Sequence, residues 1–302
     1  MKLTFRRATD DDKPAMLALA ASVDPDDYLR WVIDGYMKER PGGFYLTEDE
    51  SGRLLALASI TFIRPGQAFL RTMRVHPEVQ GQGVGTEFTR FQVDQAKRLG
   101  ARVVRLLTAE DNRAVHRLAG EKLGFTLRGR WATWWDSLSL TLPPDGQATG
   151  VRVAVGDDAP ALDGLFRESQ EVCSCPGVFA GEEESSEMYA FEPAGEPLAG
   201  LIEAGRVLVH GVAAPDGLAV VTPSTGYDGR STLLVTYLWG GPEARLGFLR
   251  HLAGEVRSGR ATAIELSLPA DQAEALEALG RAWHPEDQRP WYGRLYEKTF
   301  GR

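Results

Sequence analysis

The amino-acid sequence predicts an α/β protein made of two domains with a similar order of elements. Patterns typical of strands and patterns typical of helices alternate along the whole chain. Residues 70–75 form an apolar run that leads through closely spaced glycines into a helical pattern over residues 88–99. A strand, an acidic cap, a proline and a helix occur at residues 3–14 and again at residues 151–162. Such a recurrence is typical of an internal repeat.

Length, composition and charge limit the possible classes of protein. A chain of 302 residues with 43% hydrophobic and 25% charged residues is typical of about two globular domains. Its net charge of −8 argues against nucleic acid as a partner, because neutralising phosphates needs a basic surface. The sequence has no apolar run of about 18 residues and no apolar signal core near its start, so we expect a cytoplasmic protein without a membrane partner. Cys173 and Cys175 lack a second pair, so no disulfide framework and no metal site are expected.

The first half of the chain predicts a run of strands and helices. We expect strands at residues 3–7, 43–47, 54–63, 68–75 and 102–107, helices at 14–20, 22–39, 88–99 and 112–124, and two closing strands at 125–130 and 131–140. Thr9 and the aspartates after it suit a helix cap, and Pro14 suits a first helical turn.

Three glycines, Gly81, Gly83 and Gly85, lie between a predicted strand and a helix start, where they predict an anion site. Glycine lets the backbone come close to a ligand, and the first N–H groups of a helix have no internal partner. A Walker A loop would need a lysine where Thr86 follows Gly85, and the dinucleotide fingerprint needs a different glycine spacing with an acidic residue about 20 positions further on. A glycine turn that serves only packing is the remaining alternative.

The same residues resemble a third type of phosphate loop. Residues 80–85, Gln-Gly-Gln-Gly-Val-Gly, resemble the acyl-CoA loop Q/R-x-x-G-x-G/A of the GCN5-related N-acetyltransferases (GNAT). Residues 112–114 and 121–125 resemble the second family signature, N-x-x-A…E-K-x-G-F, with Ala114 one place early. The two signatures cover roughly residues 3–140. This resemblance implies two GNAT-like domains in tandem, each with a mixed, mostly antiparallel central sheet flanked by helices.

We expect a GNAT domain at residues 1–142 with the acyl-CoA loop, a Pro/Gly-rich linker at 143–150, and a degenerate GNAT-like domain at 151–302. In the last of these, strands are expected at 197–202, 207–212, 218–221, 233–239 and 263–268, helices at 248–256 and 271–279, and two closing strands within 283–300. Its expected loop, 240–247, lacks the run of alternating glycines. We therefore expect this domain to have lost its phosphate cradle and to have a structural role.

The resemblance also implies which residues bind the donor. GNAT enzymes hold acetyl-CoA, which is a co-substrate, by its pyrophosphate, and main-chain N–H groups polarise the thioester carbonyl. The residues that match donor-binding positions are Met73, Arg74, Val75, Gln80, Gly81, Gln82, Gly83, Val84, Gly85, Thr86 and Asn112.

The catalytic positions depart from the family pattern. Gly120 stands where relatives commonly have a tyrosine acid, and no tyrosine occurs between Tyr45 and Tyr189. His116, one predicted helical turn earlier on the same face, is a candidate acid or base, and Glu110 is a candidate base. The alternative for His116 is an exposed helix residue or a CoA contact, and the alternative for Glu110 is a helix cap.

Asp27, Tyr28 and Trp31 fall where the family binds its acceptor, and an acidic and aromatic set suits a cationic amine. A solvated acidic helix edge with core aromatics is the alternative. The predicted function is an acyl-CoA-dependent N-acyltransferase that acts on a small-molecule or peptide amine, with a homodimer as a further expectation. The rival is a non-catalytic acyl-CoA-binding sensor or partner protein, which the absent tyrosine favours.

Overall fold

The fold was taken from a computed structural model, which describes residues 2–134, 150–173, 179–181, 189–191, 198–211, 214–225, 229–279 and 290–301. Contacts divide the chain into two units, the first made of Met1–Leu127 with Leu295–Arg302 and the second of Arg128–Arg294. This division differs from the predicted domains 1–142 and 151–302: the first unit ends earlier, because residues 131–134 pair with residues 266–269, and it includes the C-terminal segment. Of the predicted linker, residues 143–149 lie outside the described residues.

The strands are β1 Thr4–Arg7, β2 Gly43–Glu48, β3 Leu54–Arg64, β4 Gln67–Val75, β5 Val103–Ala109, β6 Thr126–Trp134, β7 Val151–Val153, β8 Phe179–Gly181, β9 Tyr189–Phe191, β10 Val207–His210, β11 Gly217–Thr225, β12 Ser231–Gly240, β13 Ala263–Pro269 and β14 Trp291–Thr299. The helices are α1 Lys13–Val23, α2 Leu29–Lys38, α3 Val84–Arg98, α4 Arg113–His116, α5 Ala159–Val172, α6 Ala199–Glu203, α7 Pro242–Arg257 and α8 Ala270–Glu277. A π-helical segment, Arg117–Lys122, continues α4.

The first unit is a mixed sheet with helices packed on it. Its strands follow the order β1-β2-β3-β4-β5-β14, and β4 with β5 is a parallel pair among antiparallel neighbours. Helix α3 buries Val84, Phe88 and Ala96 against the sheet, at spacings that keep them on one helical face. The predicted sheet type is confirmed here, and burial of this face stabilises α3.

The second unit repeats this arrangement. Its sheet follows the order β6-β13-β12-β11-β10-β7, and β12 with β13 is again a parallel pair among antiparallel neighbours. Helix α7 buries Phe248 and Leu252 in a core that includes Val235 and Leu266. Strands β8 and β9 form a separate two-stranded sheet. The mixed sheet flanked by helices is therefore confirmed in this unit as well.

Three predicted elements differ from the structure. Residues 197–202 were expected to be a strand, but Leu198 and Ile202 are both buried at a spacing of one helical turn, and α6 forms there. The loop expected at 240–247 is short, because Pro242 starts α7 as a favourable first residue. A single strand, β6, replaces the two predicted at 125–130 and 131–140, of which residues 135–140 lie outside the described ranges.

The remaining differences concern helix starts and the closing strands. Helix α2 begins at Leu29 instead of residue 22, because the Asp27 side chain accepts a hydrogen bond from the Leu29 N–H at 2.8 Å. Of the closing strands expected within residues 283–300, the structure shows β14, and residues 283–289 lie outside the described residues.

Candidate active site

The two parallel strands of the first unit separate at their C-terminal ends. Strands β4 and β5 pair from Gln67 opposite Val103 to Leu70 opposite Leu106. Beyond these residues both strands continue, β4 to Val75 and β5 to Ala109, without pairing to each other. The separation leaves a cleft at the carboxyl ends of parallel strands, which is where open α/β sheets bind ligands.

A β-bulge shapes the β4 side of this cleft. Leu57 pairs with Arg74 and Ser59 pairs with Arg71, so two residues of β4, Thr72 and Met73, oppose one residue of β3. Thr72 has a φ of 57°, which a β-branched residue rarely adopts, and its hydroxyl lies 2.9 Å from that of Ser59. The buried hydroxyl pair holds the strained backbone in place.

The bulge leaves main-chain groups of β4 directed into the cleft. The His76 N–H donates to the Leu55 carbonyl at 2.8 Å, so the backbone of residue 76 faces β3. Because backbone direction alternates along a strand, Met73 and Val75 face the opposite side, where β5 has separated. The carbonyl oxygen of Val75 accepts from Gln80 Nε2 at 3.0 Å, and that of Met73 accepts from Arg74 Nη1 at 3.1 Å. Their N–H groups therefore face the cleft.

The glycine loop ends the cleft with a set of open N–H groups. Gly81 and Gly83 have φ values of 77° and 90°, and a Cβ at either position would meet nothing within 4 Å. Gly83 is the N-cap of α3, and its carbonyl accepts from the N–H groups of the first helical turn. Within the part of the chain that the structure describes, the N–H groups of Gly81, Gly83, Val84 and Gly85 have no acceptor. The positive end of the helix dipole adds to this site for an anion.

Asn112 connects the end of β5 to the start of α4. Its Oδ1 accepts from the Val115 N–H at 3.2 Å, and its Nδ2 donates to the Thr108 hydroxyl at 3.0 Å. Both ends of the amide are thus used inside the protein, as an N-cap and as a tie to the strand. Its predicted contact with CoA remains a prediction.

His116 lies beside this junction with both ring nitrogens in hydrogen bonds. Its Nε2 is 2.9 Å from the backbone oxygen of Glu110, and its Nδ1 is 3.1 Å from the Tyr296 hydroxyl. The backbone of Glu110, and not its carboxylate, makes this contact. Tyr296 lies on β14, 180 positions away in sequence, and is 6% exposed. A tyrosine is therefore present at this site, although the sequence pattern placed none nearby.

The helix that carries His116 changes type directly after this residue. Helix α4 ends at His116, and a π-helical segment follows, with Leu123 N–H bonded to the Leu118 carbonyl at 3.1 Å. A π-turn holds one residue more than an α-helical turn, and the relation between His116 and Gly120 along it stays a prediction.

The residues predicted to bind the acceptor lie at the start of α2. The carboxylate of Asp27 forms an ion pair with the Arg74 guanidinium, and the Asp27 side chain is 4% exposed. Burial acts to lower the pKa of Arg74, but contacts with Asp27 and Tyr28 outweigh it, so this pKa is raised. The Arg74 guanidinium lies 5.2 Å from the centre of the Tyr28 ring. Trp31, which is 54% exposed, lies under the Arg30 guanidinium at 4.3 Å.

A second arginine of β4 is also paired with an acidic residue. Arg71 forms an ion pair with Glu39, and its guanidinium lies 3.4 Å from the centre of the Tyr36 ring. Thr61 donates to the same carboxylate at 2.7 Å. The α2 segment is therefore bound to β4 by two ion pairs, one on each side of the bulge.

In the second unit, groups of the protein itself occupy the position that corresponds to the cleft between β4 and β5. Strands β12 and β13 pair up to Val235 opposite Leu266, so Leu238 stands as far past the last pair as Met73 does in β4. The Leu238 N–H donates to Gln272 Oε1 of α8 at 2.9 Å, in a buried setting. A Cβ on Gly240 would come within 2.8 Å of the Ala244 Cβ, so the start of α7 packs directly on β12. Among the described residues of this unit, the start of α7 therefore packs where the first unit has its glycine cradle.

Sequence reasoning missed the residues that meet only through the fold. Tyr296, Gln272 and the bulge residue Thr72 belong to this group. The alternation of side chains along β14 indicates that Tyr296 faces a hydrophobic core. Only the order of the strands shows in which unit that core lies. Among the described residues, no group of three His, Cys, Asp or Glu side chains could hold a metal ion, and no helix is long and apolar enough to cross a membrane.

The sequence and the fold were then compared with known proteins. The sequence model of the Acetyltransferase (GNAT) family matches residues 7–125. A GCN5-related N-acetyltransferase from Sphaerobacter thermophilus shares the fold with a TM-score of 0.60 and 16% identity, over 98% of this chain and 95% of that chain. A Pyrococcus horikoshii protein classed with the acetyltransferases gives a TM-score of 0.53 and 16% identity, over 99% and 90% of the two chains.

The two solved structures show that the fold is shared over the whole chain, since identity at this level supports nothing further. The comparison with curated proteins gives no significant match. The match to the family runs from the last residue of β1 to Phe125, just after the π-helical segment, and includes the cleft and the glycine cradle. Residues 7–125 of this chain therefore match the Acetyltransferase (GNAT) family in sequence.

Proposed function

We propose that the first unit is an acyl-CoA-dependent N-acyltransferase, with acetyl-CoA as the donor, and that its site is the cleft between β4 and β5. The open N–H groups of the glycine cradle are the observation that carries this proposal. A pyrophosphate satisfies such groups at a helix N-terminus. The sequence match to the family supports CoA over other phosphate ligands.

The donor would lie along β4. The loop residues Gln80, Gly81, Gln82, Gly83, Val84, Gly85 and Thr86 hold the pyrophosphate, and the main chain of residues 73–75 holds the pantetheine arm. The N–H groups of Met73 and Val75 face the cleft, so a thioester carbonyl bound there receives a hydrogen bond from the strand. Such a donor stabilises the oxyanion that forms when the carbonyl is attacked.

In the reaction, the nitrogen of a neutral amine attacks the thioester carbon, and the C–N bond forms as the C–S bond breaks. The ammonium formed at nitrogen loses one proton, and the departing CoA thiolate gains one, so charge and protons balance. His116 and Glu110 stay the candidate proton carriers, and Asp27, Tyr28 and Trp31 stay the candidate acceptor contacts. A small-molecule or peptide amine is the proposed acceptor.

One observation favours the second candidate, a non-catalytic acyl-CoA-binding sensor. Both ring nitrogens of His116 are engaged, with Glu110 and with Tyr296. A histidine with both ring nitrogens in hydrogen bonds has to break one of them before it accepts a proton. Tight binding of acetyl-CoA with no transfer to any amine supports the sensor and contradicts the enzyme.

Gly83→Glu tests the site, because it places a side chain and a negative charge in the cradle. Isothermal titration calorimetry with acetyl-CoA should show at least about a 100-fold loss of affinity, which is about 2.7 kcal/mol of binding free energy. Gly100→Glu is the matched control, since Gly100 has a φ of 97° and open space but lies at the other end of α3. Equal affinity of the two variants would contradict the site, and CoA release with a panel of amines separates the enzyme from the sensor.

A further inference from the structure

The hydrogen bonds of His116 define its tautomer. The Glu110 carbonyl can only accept, so the hydrogen of the neutral ring lies on Nε2, at 2.9 Å from that oxygen. The Nδ1 atom then carries the lone pair, and the Tyr296 hydroxyl donates to it at 3.1 Å. His116 can therefore gain a proton only at Nδ1, where the hydroxyl of Tyr296 lies.

Tyr296 is held rigidly in the first unit by its neighbours on β14. Glu297 accepts two hydrogen bonds from the buried Arg105 of β5, at 2.7 and 2.8 Å. Lys298 donates to the Leu123 carbonyl at the end of the π-helical segment. The Phe300 N–H donates to the Arg102 carbonyl at 2.9 Å. These contacts hold the strand on the C-terminal side of the tyrosine.

His116 stands next to the proposed site. Glu110, whose carbonyl it contacts, is the first residue after β5 ends. Asn112 lies one turn before His116 on the same helix and is tied to Thr108, which is past the last residue of β5 that pairs with β4. The π-helical segment begins directly after His116, and single π-turns occur frequently at functional sites.

We propose that Tyr296 is a positioning residue for the acyl transfer, which it serves by fixing His116 in the tautomer with hydrogen on Nε2. This role rests on the proposed function of the first unit. It also gives the C-terminal half of the sequence a part in that function, because the strand that completes the first unit carries this tyrosine. The hydroxyl both donates to Nδ1 and can accept from it, so it supports the neutral and the protonated ring in turn.

The test compares Tyr296→Phe with Tyr292→Phe, a variant at a second tyrosine of β14. The Tyr292 hydroxyl contacts Glu277 of the second unit at 3.0 Å, so its loss removes a hydroxyl of the same strand away from His116. Tyr296→Phe should lower kcat at least about tenfold and leave the Kd for acetyl-CoA unchanged, because the cradle is untouched. Two-bond proton–nitrogen NMR of the histidine rings should show mainly hydrogen on Nε2 of His116 in the wild type and a mixture of tautomers in Tyr296→Phe.

A double-mutant cycle distinguishes positioning from a structural role. If Tyr296 acts through His116, the variant with both His116→Ala and Tyr296→Phe should lose no more activity than His116→Ala alone. Additive losses, or a Tyr296→Phe variant as active as Tyr292→Phe, would overturn the proposed role while leaving the acyltransferase intact. Absence of turnover in the wild type with every amine would instead overturn the proposed function, and this role with it.

Discussion

Arg152 and Asp158 form a bidentate ion pair, with both guanidinium–carboxylate distances at 2.6–2.7 Å, and it recurs in the first unit between Arg6 and Asp12. In each unit the aspartate also accepts from the backbone N–H three residues earlier, of Val155 or Thr9. One strand, one 3-10 turn and one helix are thus joined in the same way twice. The pair gives a structural reason for the sequence similarity between residues 3–14 and 151–162.

Asp158 predicts a pH-dependent part of the stability of the second unit. The hydrogen bonds from Arg152, followed by that from the Val155 N–H, lower the pKa of Asp158 from 3.8 to about 2. Because the folded pKa is lowered, the stabilisation is complete above about pH 4 and is lost as the pH falls towards about 2. Asp158→Asn should be less stable than the wild type by about 1–2 kcal/mol at pH 7.

Urea unfolding of wild type and Asp158→Asn between pH 7 and pH 2 measures this difference directly. The two curves should converge at the low end of the range. Asp157→Asn, at the exposed neighbouring position, should follow the wild type throughout. A constant difference between wild type and Asp158→Asn over the whole range would contradict the assignment.

The ion pair between Arg105 and Glu297 predicts that the stability of the first unit depends strongly on its C-terminal strand, β14. The Arg105 side chain is 1% exposed and also bonds Gln67 Oε1 at 2.7 Å. Glu297→Ala removes a carboxylate that pairs with a buried guanidinium, which should cost about 3–5 kcal/mol in unfolding free energy. The measurement is chemical unfolding followed by a probe in the first unit.

The surface pair between Lys13 and Asp34, also in the first unit, supplies the control. Asp34→Ala should change stability little, because exposed pairs contribute little and are screened by solvent. Replacing both members of the buried pair, in Arg105→Met with Glu297→Leu, should recover much of the loss. A Glu297→Ala variant as stable as Asp34→Ala would contradict the interpretation.

Local patterns predicted most of the elements and the glycine loop. The glycines of residues 81–85 predicted an anion site because glycine conformation and the free N–H groups at a helix start are local properties. The amphipathic spacing of α3 and the apolar runs of β4 and β12 were likewise read from short windows. At residues 197–202 the local pattern predicted a strand, but a helix forms there and buries both Leu198 and Ile202.

The partners of the site residues could not be predicted, because they come from distant segments. Tyr296 reaches His116 across 180 positions, and Asp27 reaches Arg74 across 47. The π-helical turn after His116 depends on one extra residue whose effect is visible only in the hydrogen bonds. Sequence spacing alone therefore gave no indication that Tyr296 lies beside His116.

The Leu238–Gln272 hydrogen bond predicts that each chain binds one acetyl-CoA. The glutamine takes the strand N–H that corresponds to the donor-facing Met73, and the start of α7 offers no cradle. Titration calorimetry of the wild type should give one site per chain, and Gly83→Glu should remove it. One remaining site of unchanged affinity in Gly83→Glu would show that the second unit binds the ligand.

The Asp27–Arg74 ion pair predicts that replacing Asp27 lowers the stability of the protein, independently of any contact between Asp27 and the acceptor. Asp27→Ala leaves a half-buried guanidinium without this carboxylate and removes the acceptor of the Leu29 N–H, so unfolding free energy should fall by about 1–3 kcal/mol. Asp26→Asn, at a side chain that is 93% exposed, should leave stability unchanged.

Trp31→Ala separates acceptor binding from this structural effect. Trp31 is 54% exposed, so its removal should change stability little. If the start of α2 forms part of the acceptor site, Trp31→Ala should raise KM for the amine severalfold and leave kcat and the Kd for acetyl-CoA unchanged, because only ground-state contact with the acceptor is lost. An unchanged KM in Trp31→Ala for every accepted amine would place the acceptor elsewhere, and the exposed tryptophan would then have no part in the reaction.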